Sequence, residues 1–224
     1  METKTTYPRI LPVGDAALTV EFGNSIHPDL NKKVYALERT LELHALPGLV
    51  EMIPTYRSLL IHFDPLIDTF ETMKGNIQGF LYNLQPIQPQ KYRTIPIPTV
   101  YGGEFGPDLA FVAEHNHLTI KEVIQIHISR EYQIYMMGFT PGFPYLGGMD
   151  PRIATPRLET PRKETPAGSV GIAGNQTGIY PITSPGGWRI IGRTYQKLFN
   201  PDEENPFFLS PGDIIRFVPV EVEH

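Results

Sequence analysis

After Tyr132 the chain loses its helical period, and glycine and proline cut the remaining sequence into short runs. Four of these runs, at 133–137, 168–173, 188–191 and 213–218, have strand length and are separated by turn residues. Short strands punctuated in this way must bury their apolar faces against one another, which predicts a closed β-barrel.

Upstream the pattern differs. Leu18, Val20 and Phe22 alternate with Ala17, Thr19 and Glu21, the period of a strand with one buried face, at about 16–23. Pro28 and Asp29 open a segment in which Leu30, Val34, Leu37 and Leu41 share one helical stripe, and Pro47-Gly48 closes it. Extended runs at 49–55 and 58–63 follow, then a second stripe of Phe70, Met73, Ile77, Leu81 and Leu84. The order β-α-β-β-α predicts a small antiparallel sheet with two helices on one face, so the fold class of the whole chain is α+β.

Residues 85–98 carry four prolines among polar residues and read as a stiff extended connector between the two patterns. A chain of 224 residues exceeds the usual domain size of roughly 100–150, and two domains are expected, a small α/β domain over 1–86 and a barrel domain over 91–222. Two short helices should precede the barrel runs. Pro107 stands at a first helical position ahead of 109–114, and Thr119 with Glu122 forms a capping box before Ile120, Val123, Ile124 and His127.

Composition removes several classes of function. With 41% hydrophobic and 19% charged residues the chain is of ordinary globular type. No apolar run approaches the ~20 residues of a membrane span, and a net charge of −5 lacks the basic footprint of a nucleic-acid binder. Neither a membrane nor a nucleic acid is therefore expected as a partner. The absence of cysteine removes disulfides, thiolate nucleophiles and Cys-ligated zinc. Residues 1–9 lack the apolar stretch of a secretory signal, so a cytoplasmic location is expected.

The chemistry-bearing residues gather in glycine and proline clusters. From Gly138 to Gly148, Pro141, Pro144 and four glycines hold Phe139, Phe143 and Tyr145 on a constrained loop. The loop reads either as a plug for the barrel end or as a binding wall, and the segment alone leaves both open. A Thr-Pro pair recurs at 155–156, 160–161 and 165–166 with Arg157, Arg162 and Lys163 between, which predicts an extended, polyproline-like segment. It reads as a solvated edge or as a basic strip for a phosphate or an acidic partner. Ser169, Gln176, Tyr180, Trp188, Arg189 and Arg193 follow, polar, aromatic and cationic groups beside glycines that allow a ligand close approach. Phe143, Tyr145, Trp188 and Arg193 are expected to form one concave surface facing a partner or a shared active site.

Several signatures are missing. There is no phosphate loop, no Gly-x-Gly-x-x-Gly and no Gly-x-Ser-x-Gly elbow. His115 and His117 lack the helical i, i+4 spacing of a metal pair, and no metal site is expected. His127, alone on an apolar stripe, reads as a satisfied structural residue.

The motifs Tyr101-Gly-Gly-Glu-Phe-Gly-Pro-Asp108, Tyr135-Met-Met-Gly-Phe-Thr-Pro-Gly-Phe-Pro-Tyr-Leu-Gly-Gly148, Pro166-Ala-Gly-Ser-Val-Gly-Ile-Ala-Gly174, Gln176-Thr-Gly-Ile-Tyr-Pro181 and Ser184-Pro-Gly-Gly-Trp188 through Ile191-Gly-Arg193 carry a resemblance over nearly the whole length. The chain closely resembles the family named variously allophanate hydrolase subunit 1, sporulation-kinase inhibitor (KipI) and the B subunit of 5-oxoprolinase. The chain departs from that pattern at Ile128, where a hydroxyl residue is usual, and at Arg130, where proline is common. The resemblance implies a small α/β domain followed by a cyclophilin-like β-barrel.

It also implies a function as one subunit of an assembly that converts 5-oxo-L-proline, ATP and water into L-glutamate, ADP and phosphate. The implied partners are a larger C subunit with a related barrel and a lactam-opening A subunit, with ATP as co-substrate and Mg accompanying it. An unstrained lactam resists hydrolysis, and phosphorylating its carbonyl oxygen makes that oxygen a leaving group. Arg189 and Arg193 are the expected cations for phosphoryl transfer, and Phe139, Phe143, Tyr145, Ser169, Gln176, Tyr180 and Trp188 the expected substrate- or partner-binding residues. Two other readings stand beside this one: an inhibitor that grips a histidine kinase, and a subunit of a urea carboxylase or allophanate system. On the first reading the isolated chain has no hydrolytic activity.

Overall fold

The computed structural model describes residues 6–84 and 93–221, and the chain divides into two compact units, Met1–Gln90 and Lys91–His224.

In the first unit β1 (Arg9–Pro12), β2 (Ala17–Glu21), β3 (Leu49–Pro54) and β4 (Ser58–Phe63) form an antiparallel sheet in the order β1-β2-β4-β3. Helix α1 (Pro28–His44) begins where Pro28 and Asp29 anticipate: Pro28 occupies the first turn, and His27 Nδ1 accepts the Asp29 N–H at 3.2 Å. Val34, Leu37 and Leu41 are fully buried, and they meet Met73 and Ile77 of α2 (Phe70–Tyr82) over Leu18, Val20, Leu59 and Ile61 of the sheet. Strand β1 carries no signal in the sequence. The four residues Arg9–Pro12 are too few to display a period, and only pairing with β2 makes them a strand.

In the second unit seven strands close a barrel: β5 (Thr94–Tyr101), β6 (Tyr132–Met137), β7 (Pro144–Gly147), β9 (Ser169–Ala173), β10 (Gln176–Ile179), β12 (Arg189–Arg193) and β13 (Ile214–Pro219). Their order is β10-β7-β6-β13-β5-β12-β9, with antiparallel neighbours except β5 with β13. Helices α3 (Leu109–His115) and α4 (Ile120–Ile128) lay Leu109, Val112 and Val123 against Ile97, Ile134, Leu146, Val170, Ile172 and Phe217. The Thr119–Glu122 capping box is present, whereas Pro107 precedes the helix, with Asp108 at the N-cap and Leu109 as the first helical residue.

The connector reading fails from Thr94 onward; its earlier part, 85–92, lies outside the described residues. Pro96 and Pro98 lie within β5, and the carbonyls of Arg93 and Thr99 accept Ile214 and Val220 N–H from the β13 side. The prolines have the opposite parity, so their missing donors point towards β12, which pairs with β5 only at Val100 and Tyr101. A proline costs little where no ladder bond is due. The loop from Gly138 to Gly148 likewise contains β7, and the Thr-Pro segment ends in β8 (Arg162–Thr165), which pairs with β11 (Ser184–Gly186) as a two-stranded sheet.

Candidate functional site: an aromatic cavity held by a buried ion pair

The strand register sets an aromatic cluster on glycine. Gly171 of β9 and Gly178 of β10 are direct cross-strand partners. A Cβ on Gly178 would come within 3.1 Å of both Phe143 Cζ and Trp188 Cζ3, and one on Gly171 within 3.0 Å of Trp188 Cβ. The missing side chains therefore let the indole and the Phe143 ring rest on the sheet backbone. Phe143 meets Tyr180 and Trp188 edge to face at 5.4 and 5.5 Å, and Tyr145 at 4.9 Å. These separations are those of favourable aromatic pairs.

The loop before β7 supplies the outer wall. Phe139 is 64% exposed and sits at φ 63, a conformation uncommon for a bulky residue. The bonds Phe143 N–H to Thr140 O at 3.0 Å and Gly138 N–H to Phe143 O at 3.1 Å close the loop around it, and its ring lies 5.7 Å from that of Phe143. Phe139, Phe143, Tyr145, Tyr180 and Trp188 line one cavity of about 250 Å³, completed by Arg157, Pro161, Pro185, Gly186 and Gly187.

A second layer holds the wall in place. The Arg162 guanidinium donates to both carboxylate oxygens of Asp108 at 2.8 Å and to Trp188 O at 3.2 Å. Asp108 Oδ2 also accepts Ile190 N–H at 2.6 Å. The segment bearing Trp188 is thereby tied to the start of α3 and to β8, and charge-assisted bonds of this kind are the strong ones. Asp108 commits its carboxylate to this network and makes no side-chain cap bond to its own helix. Burial raises the phenol pKa of Tyr180 and Tyr145, while the positive charge of Arg157 pulls both the other way.

The structure gathers five of the sequence-derived candidates and leaves four elsewhere. Arg189, next to Trp188, places its guanidinium 3.6 Å from the Phe111 ring centre, and its Nε donates to Pro156 O. Arg193 does not join Phe143, Tyr145 and Trp188 in one surface. Five strand steps of about 3.4 Å separate it from Trp188, a bulge intervenes after Ile190, and its Nε donates to Ala167 O at 2.9 Å. Ser169, its partner on β9, is buried, and Gln176 opens β10 opposite Ala173. Sequence reasoning placed Arg157 on a solvated edge or a basic strip, and its place in the cavity was visible only as a cation close in sequence to Pro161.

His127 is fully buried, with Nδ1 2.8 Å from the Tyr101 hydroxyl and Nε2 3.1 Å from Thr177 Oγ1. Thr177 donates to Gly171 O at 3.0 Å, so it accepts from His127 Nε2–H, and Nδ1 accepts from Tyr101. Burial lowers the imidazole pKa to about 3, keeping the ring neutral. Arg130, the departure from the family pattern, pairs with Asp150 at 2.6 Å together with Arg152, and these bonds hold the Asp150 carboxyl well below the usual carboxylate range. Among the described residues no group of three or more His, Asp or Glu is placed to hold a metal ion, and no helix is long and apolar enough to cross a membrane.

Comparison with known proteins agrees with this architecture. The family model described as carboxyltransferase domain, subdomain C and D, matches residues 8–209. The chain is 44% identical to the 5-oxoprolinase B subunit of Bacillus subtilis over 94% of this chain and 92% of that protein. It is 40% identical to the 5-oxoprolinase B subunit of Escherichia coli O157:H7 over 92% and 94%. In fold, the urea carboxylase of Kluyveromyces lactis superposes with a TM-score of 0.82 at 23% identity, covering 99% of this chain and 23% of that one. The chain therefore belongs to the carboxyltransferase subdomain C and D family, and within it to the branch whose named members are B subunits of 5-oxoprolinase.

Proposed function

We propose that this chain is the B subunit of an ATP-dependent 5-oxoprolinase and that it acts only in company with partner subunits. The observation that carries the reading is identity of 37–44% to three 5-oxoprolinase B subunits, each matched over at least 92% of its own length. The urea amidolyase relatives are 26–28% identical, and this chain spans only 13–14% of their length, which favours the lactam substrate over urea chemistry.

The residues support a share in the reaction and not the whole of it. Amide hydrolysis at a lactam needs an activated carbonyl, and the cavity offers aromatic faces and one guanidinium but neither a nucleophile–base pair nor a carboxylate. In the proposed cycle ATP phosphorylates the lactam oxygen, water opens the activated ring, and L-glutamate, ADP and phosphate leave. Arg189 and Arg193 enter the proposal as cations turned towards the larger partner. ATP and its Mg are assigned to the assembled complex.

The test is reconstitution. The purified chain and its two partners, the larger one and the lactam-opening one, are assayed singly and together for glutamate released from 5-oxo-L-proline with ATP. Turnover is expected only in the full mixture, and turnover by this chain alone overturns the reading. Arg193→Ala, expected to lower the rate at least tenfold with folding intact, is withdrawn from the site if the rate is unchanged.

A further inference from the structure

The aromatic cavity has a single charged wall. Arg157 places its guanidinium carbon 5.9 Å from the centre of the Trp188 ring, and no carboxylate pairs with it among the described residues. Arg162, five residues on, presents the opposite case, with its charge engaged by Asp108. Arg157 thus combines a full positive charge, a place in a cavity wall and flat aromatic neighbours. A guanidinium presents forked donors that suit a carboxylate, and at this distance from the indole it lies within reach of the attraction between a cation and an aromatic face.

We infer that the cavity is a binding site for a small ring carboxylate, whose carboxylate pairs with Arg157 while its ring lies against Trp188 and Phe143. The size agrees: about 250 Å³ falls below the range of roughly 300–1,000 Å³ that holds drug-sized ligands. The charge agrees as well. No acidic side chain lines the cavity, so an anion meets attraction without repulsion. The inference rests on the proposed function for its physiological ligand, because 5-oxo-L-proline is a five-membered lactam bearing one carboxylate. It adds the place where that molecule is held and the residue that selects its charge.

Trp188 is the one tryptophan of the chain, so its emission reports on this cavity alone. The full chain, without its partners, is titrated with 5-oxo-L-proline, with cyclopentanecarboxylate and with 2-pyrrolidinone, the same lactam lacking the carboxylate. Both carboxylates are expected to change the emission saturably, and 2-pyrrolidinone at least tenfold more weakly. Arg157→Gln should weaken carboxylate binding tenfold or more with an unchanged melting temperature, and Arg157→Lys should restore part of it. An absent response to 5-oxo-L-proline, an equal response to 2-pyrrolidinone, or an unaffected Arg157→Gln overturns the site. The reconstituted complex separates this failure from that of the proposed function. Carboxylate binding without glutamate formation overturns the function alone, and full turnover with an unchanged KM in Arg157→Gln overturns the site alone.

Discussion

Asp108 and Arg162, 54 residues apart, join head to head at 2.8 Å, and between them they hold the backbone on both sides of Arg189. Asp108→Ala would leave a half-buried guanidinium and the Ile190 N–H without their acceptor. The expected loss is about 2–4 kcal/mol of unfolding free energy, somewhat below the cost of breaking a fully buried charged pair because the Arg162 side chain is 29% exposed. Urea denaturation measures it. Asp108→Asn, which keeps an acceptor for Ile190, should recover about half; a loss below about 1 kcal/mol in the alanine variant would show that the pair does not hold the segment.

Two glycine substitutions should act in opposite directions. Gly178→Ala drives a methyl group against Phe143, Trp188 and the Pro144 carbonyl, each 3.1 Å from the new Cβ. It should cost about 1–3 kcal/mol and alter Trp188 emission. Gly75, inside α2 with nothing within 4 Å of a built Cβ, should gain up to about 1 kcal/mol on conversion to alanine. Thermal melts of the two variants decide whether the aromatic cluster needs the bare backbone.

His127 should make stability fall with acid. Its folded pKa of about 3 lies below the ordinary 6.5, so between these values the unfolded chain binds a proton that the folded chain refuses. Stability from this residue is fully present above about pH 6.5 and is lost as the pH drops towards 3, with a slope of up to about 1.4 kcal/mol per pH unit. Glu38 of α1 works against it, because burial and the neighbouring Glu42 push its carboxyl from 4.5 up to about 7, so its penalty grows as the pH rises between these two values. His127→Gln should flatten the acid slope, and Glu38→Gln should raise stability at pH 8 relative to pH 5. Unfolding curves of the two variants at several pH values check both signs.

The barrel unit should fold without the first. Its core residues all come from its own stretch of chain, between Ile95 and Phe217, and β5 at its start pairs with β13 at its end. A fragment of residues 91–222 is expected to melt cooperatively, and a fragment without a thermal transition would show that the two units fold as one.

Helices α1, α2 and α4 could be read from the chain because their determinants are local: an apolar stripe every three or four residues, Pro28 in the first turn, Thr119 with Glu122 three positions on. The barrel strands were legible where Gly and Pro isolated an apolar run, as at β6, β9, β12 and β13. The family motifs were equally a property of sequence, and they brought Phe139, Phe143, Tyr145, Tyr180 and Trp188 forward together with Ser169 and Gln176, which do not line the cavity. Tertiary structure alone decided the rest, because ladder bonds and side-chain meetings join residues whose separation along the chain carries no local signal. Pro96 and Pro98 read as connector until β13 paired with the other edge of β5. Trp188 found its seat because register placed Gly171 opposite Gly178. Arg193 stands away from the aromatic cavity because a strand carries its side chains about 3.4 Å further with each residue, whereas Arg157 enters the cavity from the irregular segment before β8, whose course is set by long-range bonds such as Leu158 N–H to Gly187 O.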